Sequence, residues 1–379
     1  MKKLFNIVLM TAAVAAMVSC GNSGTTNVTT EKEADLRKVM APYVNNTVIA
    51  TYSGMATQGL ILLEKCEAIE DAVKDGDDYT QLMKEACDAW KAMREYWEKS
   101  EAFLYGPAAN HNIDPHIDSW PLEYNAMNDL LNDANRMAAI EEQGGSYVGL
   151  LGFGLKGFHA AEYLLFDNGQ PHAANLTKAE AIYLVGIVED LAQQAVLLED
   201  CWAGTVSEAK KEVLDYEEDS YGENYGEYMI NAGKAGSIFV SYQDAAEEII
   251  SGCVDIAGEV ASLKMGNPYL SSNEEEREYI ESPYSHNSTK DFADNIRSIQ
   301  NAYCGSQAGD ASISDFVKKR DADLDAKVRA AIEESIAKIN AIQNFETQAK
   351  GNSDVKAAID KVSELEQLLN NEVLALLAK

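Results

Sequence analysis

The chain has 379 residues, of which 46% are hydrophobic, and it carries a formal net charge of −31 at pH 7. A charge of this sign repels nucleic acid and anionic membrane surfaces and attracts cations, so the sequence predicts no nucleic-acid partner. The length is ample for a hydrophobic core and favours two domains over one.

The first twenty residues have the order of a secretory signal peptide. Two lysines at positions 2 and 3 precede a short apolar stretch over residues 4–18. Residues 17–20 (MVSC) resemble a bacterial lipoprotein box. We therefore predict a signal peptide over residues 1–19 and lipidation of Cys20, the alternative being a simple cleavable signal with an incidental cysteine.

This signal also predicts where the protein resides. We expect an exported protein that a lipid anchor holds in the bacterial cell envelope. No acidic residue directly follows Cys20, and on that basis we predict the outer membrane, facing the periplasm. Residues 20–30 are small and polar, which favours a flexible tether.

Apolar residues recur every three or four positions along most of the remaining chain, as they do on one face of a helix. The clearest segments are residues 64–73, 82–104, 179–198, 317–342 and 355–376. Three capping-box patterns indicate helix starts, namely Thr30-x-x-Glu33, Thr177-x-x-Glu180 and Ser312-x-x-Asp315. The sequence therefore predicts an all-α fold of two packed helical bundles.

A boundary between the bundles is predicted around residues 203–230. Residues 215–228 are acidic, aromatic and punctuated by glycine, which suits a linker. We expect an N-terminal bundle over residues 31–205 and a C-terminal bundle over residues 206–379.

The cysteines that follow Cys20 lie far apart in the sequence. They are Cys66, Cys87, Cys201, Cys253 and Cys304. Their spacing argues against a zinc ribbon or a thioredoxin-like centre and favours buried small hydrophobic residues. A pairing of Cys66 with Cys87 across two helices stays open.

The sharpest local feature is the motif Gly157-x-His159-x-x-Glu162. Residues three apart share a helix face, so the imidazole and the carboxylate can converge. Imidazole and carboxylate suit iron or zinc, and a glycine one turn earlier permits a close approach. The alternative is a His–Glu hydrogen bond within a packed helix. The motif is not a zincin, because neither H-E-x-x-H nor H-x-x-E-H occurs.

A second histidine group lies in the irregular segment 110–121. His111 and His116 alternate there with Asp114 and Asp118. These residue types could ligate a metal, although loop histidines are usually solvated.

Three ordered blocks together resemble the imelysin family, whose members include iron-regulated proteins. They are residues 90–107 (WKAMREYWEKSEAFLYGP), 157–162 (GFHAAE) and 281–305 (ESPYSHNSTKDFADNIRSIQNAYCG). The resemblance implies two helical bundles with the motif near their interface. It also implies a link to iron acquisition and an assignment as a peptidase.

The resemblance also implies a set of site residues. His159 and Glu162 are the central metal-binding pair, with Glu101 as a further carboxylate. The residues expected to line the site are Gly157, Arg94, Ser100, Glu281, Ser282 and Ser285. In the alternatives, Arg94 and Glu101 form a structural ion pair and the serines cap helices.

Three functions follow as hypotheses. The first is a protein that binds iron or an iron-loaded species through a His/Glu site and works with iron-uptake partner proteins. The bound metal is then iron, with zinc as the alternative. The second is a metallopeptidase that uses the same motif, and the third is an interaction protein whose motif is purely structural. Whether the protein is an enzyme stays open at this point.

Overall fold

A computed structural model describes residues 28–213, 220–272 and 279–379. The predicted signal peptide and Cys20 lie outside these residues. The described part of the chain is mostly helical, with one two-residue-stranded hairpin, which confirms the predicted all-α class.

Residues 28–203 form ten α-helices, two one-turn 3-10 segments, a π-helical turn and a small hairpin. The helices are α1 (Val28–Pro42), α2 (Ala50–Asp75), α3 (Thr80–Glu98), α4 (Pro107–Asn110), α5 (Ile113–Ile117), α6 (Tyr124–Asn132), α7 (Ala134–Gln143), α8 (Gly145–Val148), α9 (Gly157–Leu165) and α10 (Lys178–Ala203). The π-helical turn is Tyr43–Ile49, and the 3-10 segments are Glu101–Phe103 and Phe153–Leu155. Strands β1 (Phe166–Asp167) and β2 (Gln170–Pro171) pair antiparallel, with Phe166 opposite Pro171.

Ten further α-helices occupy the rest of the described chain, with two more π-helical turns. The helices are α11 (Glu208–Val213), α12 (Tyr225–Ile230), α13 (Tyr242–Glu259), α14 (Gly266–Leu270), α15 (Ser288–Cys304), α16 (Ile313–Arg320), α17 (Ala322–Asn340), α18 (Phe345–Gln348), α19 (Ser353–Leu368) and α20 (Leu374–Ala378). The π-helical turns are Val260–Lys264 and Leu369–Val373.

Two of the three helix starts predicted from capping boxes are correct, and the differences have local causes. Complete capping boxes are present at Thr177 and Ser312. The box predicted at Thr30 is wrong, because α1 already begins at Val28. The predicted segment 317–342 is divided at Asp321, whose side chain accepts a hydrogen bond from the Leu324 amide at 2.9 Å and starts α17.

Two groups of helices build the core. Helices α2, α3 and α10 pack together in the first group, and α13, α15, α17 and α19 in the second. The groups meet where α3 and the Glu101–Phe103 turn lie against α13 and α15. A Cβ atom on Gly252 would lie 2.3 Å from the Ala102 carbonyl oxygen, so only glycine permits this close approach.

The core contains several large aromatic side chains. Trp90, Trp97 and Trp202 are fully buried. The Trp90 indole donates a hydrogen bond to the Phe158 carbonyl at 3.1 Å, which joins α3 to α9. Burial of a large apolar side chain stabilises the fold by roughly 1.5–3 kcal/mol, so these residues fix the position of both helices.

Helix α10 is long and apolar enough to cross a membrane, but 78% of its most apolar window is buried inside the protein. It is the one described helix of that kind, and its burial is that of a core helix.

All five cysteines in the described residues are unpaired. Cys66, Cys87, Cys201 and Cys253 are buried and Cys304 is half-buried, as the prediction of small core residues required. The pairing of Cys66 with Cys87 is not formed.

Candidate functional site

Four segments that are distant in the sequence converge where the two helix groups meet. Helix α3 supplies Arg94, α9 supplies His159, the end of α5 supplies Asp118, and the segment before α15 supplies Glu281. The site is therefore assembled by tertiary packing and not by one motif.

Gly157 determines how closely α9 approaches α5. Its φ is +77°, a conformation that L-residues with a Cβ atom rarely adopt. A Cβ atom at this position would lie 2.3 Å from the Ile117 carbonyl oxygen. The glycine thus permits the backbone contact that places His159 beside Asp118.

His159 is buried and has a carboxylate at each ring nitrogen. Nε2 lies 3.1 Å from Oδ1 of Asp118, and Nδ1 lies 3.2 Å from Oε2 of Glu162. Burial alone would lower the pKa of His159, but the hydrogen bonds to Asp118 and Glu162 outweigh it and raise the pKa to about 9. At neutral pH and without a metal, the side chain is an imidazolium.

Glu162 holds the ring from the side away from the site. Its other oxygen, Oε1, accepts hydrogen bonds from the Tyr284 amide at 3.1 Å and from the Ser285 amide at 2.8 Å. The Ser285 hydroxyl donates a third bond at 2.7 Å. Both oxygens of Glu162 are therefore engaged, and Glu162 fixes the ring orientation of His159 while tying α9 to residues 284–285.

Arg94 neutralises the buried carboxylates. Its guanidinium lies 2.6 Å from Glu98 and 2.6 Å from Glu281, and it also pairs with Asp118. Although burial works against the charge on Asp118, Arg94 and His159 hold the pKa of Asp118 well below its usual range. Asp118 is thus ionised throughout the physiological pH range. The alternative pairing of Arg94 with Glu101 is not formed.

A cavity of about 410 Å³ opens beside this cluster. His159, Asp118 and Glu281 line it, together with Glu101, Asp114, Glu259 and Lys264. Five acidic side chains therefore face two cationic groups, the Lys264 ammonium and the His159 imidazolium. This balance makes the cavity attractive to cations.

Besides the His159 imidazolium, Lys264 brings a second positive charge to the described lining of this cavity. Its ammonium lies 3.2 Å from Glu281, 3.4 Å from Glu101 and 3.9 Å from Glu98. Burial alone would lower the pKa of Lys264, but these carboxylates raise it well above its usual range. The side chain is therefore an ammonium ion that occupies part of the negative site.

The ligand atoms that face the cavity suit a metal ion. Single ligand atoms of Asp118, His159 and Glu281 lie within 4.8 Å of one another. One imidazole nitrogen with carboxylate oxygens is a donor set that suits iron and zinc. Ligand atoms of Glu98, Glu101 and Asp118 form a second such group, which shares Asp118 with the first.

The structure brings together only some of the predicted site residues at this cavity. His159, Glu101 and Glu281 line it, and Arg94 lies directly behind. Glu162 lies on the far side of the imidazole and does not line the cavity.

The predicted serines serve the scaffold. Ser100 donates to the Trp97 carbonyl at 2.6 Å, and Ser282 donates to Asp291 at 2.5 Å. Ser285 bonds to Glu162, so it acts on the site through that carboxylate.

The predicted histidine group of segment 110–121 is divided between three places. Asp118 belongs to the site, and Asp114 lines the cavity. His116 pairs with Asp190 at 2.9 Å, and His111 pairs with Glu223 at 2.9 Å. The four residues therefore do not meet at one metal site, and their spacing did not predict that Asp118 pairs with His159.

Lys264 was not predicted, nor was the buried acid Glu98. Lys264 is the last residue of a π-helical turn after α13, and nothing in its local sequence distinguishes it from a solvated lysine.

This fold and site define a class of protein. Its members are all-α and hold a buried histidine–carboxylate cluster in an acidic cleft between helix groups. The sequence model of the family described as imelysin matches residues 48–371. The chain belongs to the imelysin family, which confirms the predicted resemblance.

Individual relatives agree with this assignment. Iron-regulated protein A from Synechococcus elongatus is 27% identical over 266 residues, which are 70% of this chain and 64% of that protein. The match thus spans less than two thirds of that relative.

Two crystal structures share the fold. One, assigned as an iron-regulated protein A precursor from Parabacteroides distasonis, has a TM-score of 0.77 and 26% identity, covering 92% of this chain and 96% of that chain. An imelysin-like protein from Psychrobacter arcticus has a TM-score of 0.64 and 13% identity, covering 91% of this chain and 96% of that chain. The second likeness concerns the fold alone.

Proposed function

We propose that this protein binds iron, or an iron-loaded chelate, outside the cytoplasm and holds it for uptake. In this proposal a lipid on Cys20 tethers the chain to the outer membrane on its periplasmic side, and iron-uptake proteins receive the cargo. The name of the Synechococcus relative supports an iron-related role, and the signal-like first twenty residues support export.

The observation that carries the proposal is the meeting of Asp118, His159 and Glu281 at the wall of an acidic cavity. In the site we propose, His159 Nε2 and oxygens of these two carboxylates contact the iron. Glu101 supplies a further oxygen from the same wall. The cavity leaves room for chelate or water oxygens on the open side.

Glu162 has a supporting role in this proposal. A histidine that binds a metal through one ring nitrogen commonly donates its other N–H to a carboxylate, which fixes the ring and raises its basicity. The Nδ1–Oε2 distance of 3.2 Å matches that arrangement. The motif then contains one ligand, His159, and one positioning residue, Glu162.

The test uses the full chain carrying Cys20→Ser, which cannot be lipidated. Fe²⁺, Fe³⁺ as its citrate chelate, and Zn²⁺ are titrated into this protein and into its His159→Ala variant, with heat and melting temperature followed together. We expect saturable iron binding that the variant loses. Absence of iron binding in both proteins, with the variant merely less stable, would mean that the motif is structural.

A metallopeptidase is the second candidate function. It is favoured by the three-residue ligand group, since three protein ligands leave a position for water. Against it, both oxygens of Glu162 are already engaged, one by His159 and the other by the backbone of residues 284–285, so the motif carboxylate is not free to act as a general base. Incubation of the metal-loaded protein with a broad peptide library tests this function. A library that stays uncleaved would exclude the metallopeptidase.

A further inference from the structure

A second mixed ligand group lies away from the acidic cavity, at the end of α10. Ligand atoms of His111, Cys201 and Glu223 lie within 4.8 Å of one another. None of the three residues lines that cavity. An imidazole, a thiol and a carboxylate are the three side-chain types that bind zinc in proteins.

The three side chains come from separate parts of the chain and are held close together by contacts within the described residues. Cys201 lies on the buried face of α10. The ring of His111 stacks on Tyr221 with the centroids 3.8 Å apart and the planes 6° apart, and its Nε2 lies 2.9 Å from Oε2 of Glu223. These contacts orient His111 before any ligand binds.

Residues 220–224 are fastened to the end of α10. Ser220 donates a hydrogen bond to Asp200 at 2.7 Å, and the Asn224 side-chain amide donates to the Ala203 carbonyl at 3.3 Å. Asn224 also caps α12 by accepting from the Glu227 amide at 3.0 Å. Glu223 is thereby held close to Cys201.

The burial of the group suits an ion that enters from solvent. Cys201 is fully buried, whereas the side chains of His111 and Glu223 are 24% and 20% exposed. Burial raises the pKa of the Cys201 thiol to about 12, and the carboxylates of Glu223 and Asp200 act in the same direction. Without a metal the thiol stays protonated, and binding releases its proton to solvent.

We propose that His111, Cys201 and Glu223 form a second metal site, which takes a divalent ion of the zinc class with a water molecule in the fourth position. The thiolate separates this site from the oxygen-rich cavity, since soft sulfur ligands select zinc over hard cations. Its occupation would fasten residues 220–224 to α10 and stabilise the fold by mass action.

The test exploits the thiolate–Co²⁺ charge-transfer absorption in the near ultraviolet, which requires a cysteine ligand. Co²⁺ is titrated under reducing conditions into the full chain carrying Cys20→Ser. We expect a charge-transfer band that saturates with one ion, that Zn²⁺ abolishes, and that Cys201→Ser removes. His111→Gln and Glu223→Gln should weaken Co²⁺ binding roughly 100-fold, since even residues behind the ligands commonly contribute 10- to 100-fold.

Two control variants make the outcome specific. Cys304→Ser, at the half-buried cysteine, and His159→Ala, at the cavity, should both keep the band. A wild-type protein without the band, or a band that persists in Cys201→Ser, overturns the proposal.

Because His111 and Glu223 are half-buried, their variants report on ligation without the risk of a disrupted core. The result is independent of iron binding at His159.

Discussion

Oδ1 of Asp118 lies 3.1 Å from Nε2 of His159, so a loop carboxylate and the motif histidine form one ion pair at the wall of the cavity. The same carboxylate accepts a hydrogen bond from the Trp97 indole at 2.7 Å and pairs with Arg94. Asp118 therefore connects α3 to α9 and presents a permanent negative charge beside the imidazole.

Asp118→Asn should weaken iron binding by roughly 100-fold, because it removes a proposed ligand and the charge beside His159. Isothermal titration calorimetry on the Cys20→Ser chain measures this change. Asp190→Asn is the matched control, since it breaks a second His–Asp pair of the described residues, with the half-buried His116. Equal affinity in Asp118→Asn and the parent chain would contradict the role of Asp118.

Glu162→Gln should weaken iron binding by only about tenfold, because Glu162 positions the ring without contacting the metal. The same change removes the negative charge that lies beside Nδ1 of His159, and it should therefore lower the pKa of His159. Titration of the imidazole by NMR in the metal-free protein measures this pKa. An unchanged pKa would show that Glu162 does not act on the ring.

The stability of the metal-free protein should fall as the pH rises from about 6.5 to about 9. The folded-state pKa of His159 is about 9 against 6.5 for the free side chain. Its charged interactions therefore stabilise the fold fully below pH 6.5 and are lost as the pH passes through 9. A shift of this size corresponds to roughly 3 kcal/mol in the free energy of unfolding.

Urea denaturation at several pH values tests this dependence, with His159→Gln for comparison. We expect the variant to show a flatter profile over the same window. Iron affinity should change in the opposite sense and increase with pH, because the ion must displace the Nε2 proton. Identical profiles for the two proteins would contradict the raised pKa of His159.

Gly157→Ala should destabilise the protein by about 1–3 kcal/mol and abolish tight iron binding. The added methyl group combines an unfavourable positive φ with a 2.3 Å approach to the Ile117 carbonyl. Melting temperature and iron titration measure the two effects. Gly152→Ala is the control, since Gly152 has a φ of −58° and open space around its Cβ position.

Lys264→Met should strengthen iron binding, by about tenfold, because the ammonium of Lys264 competes for Glu281 and Glu101. Removing one unit charge about 4 Å from the ion changes the binding free energy by about 1 kcal/mol even at the dielectric constant of water. Lys290→Met serves as the control, because Lys290 is 44% exposed and pairs with Glu95. Weaker binding in Lys264→Met would show that the lysine supports the cargo and does not compete with it.

The sequence by itself determined the features that depend on near neighbours in the chain. Helical spacing predicted the all-α class, and the capping boxes at Thr177 and Ser312 gave two helix starts. The contact of His159 with Glu162 was also predictable, because residues three apart share one helix face.

Only the tertiary structure decided what this pair faces and what it does. Asp118 and Lys264 share the cavity with His159 through packing between helix groups, and no local pattern encodes such long-range contacts. Glu281 was expected there only from the family resemblance. Glu162 faces away from the cavity because the backbone of residues 284–285 engages its second oxygen. His111 lies beside Cys201 and Glu223, and not beside the other acids and histidines of segment 110–121, because packing brings these distant residues to it. Spacing determines which residues share a helix face, whereas packing determines which face meets a ligand.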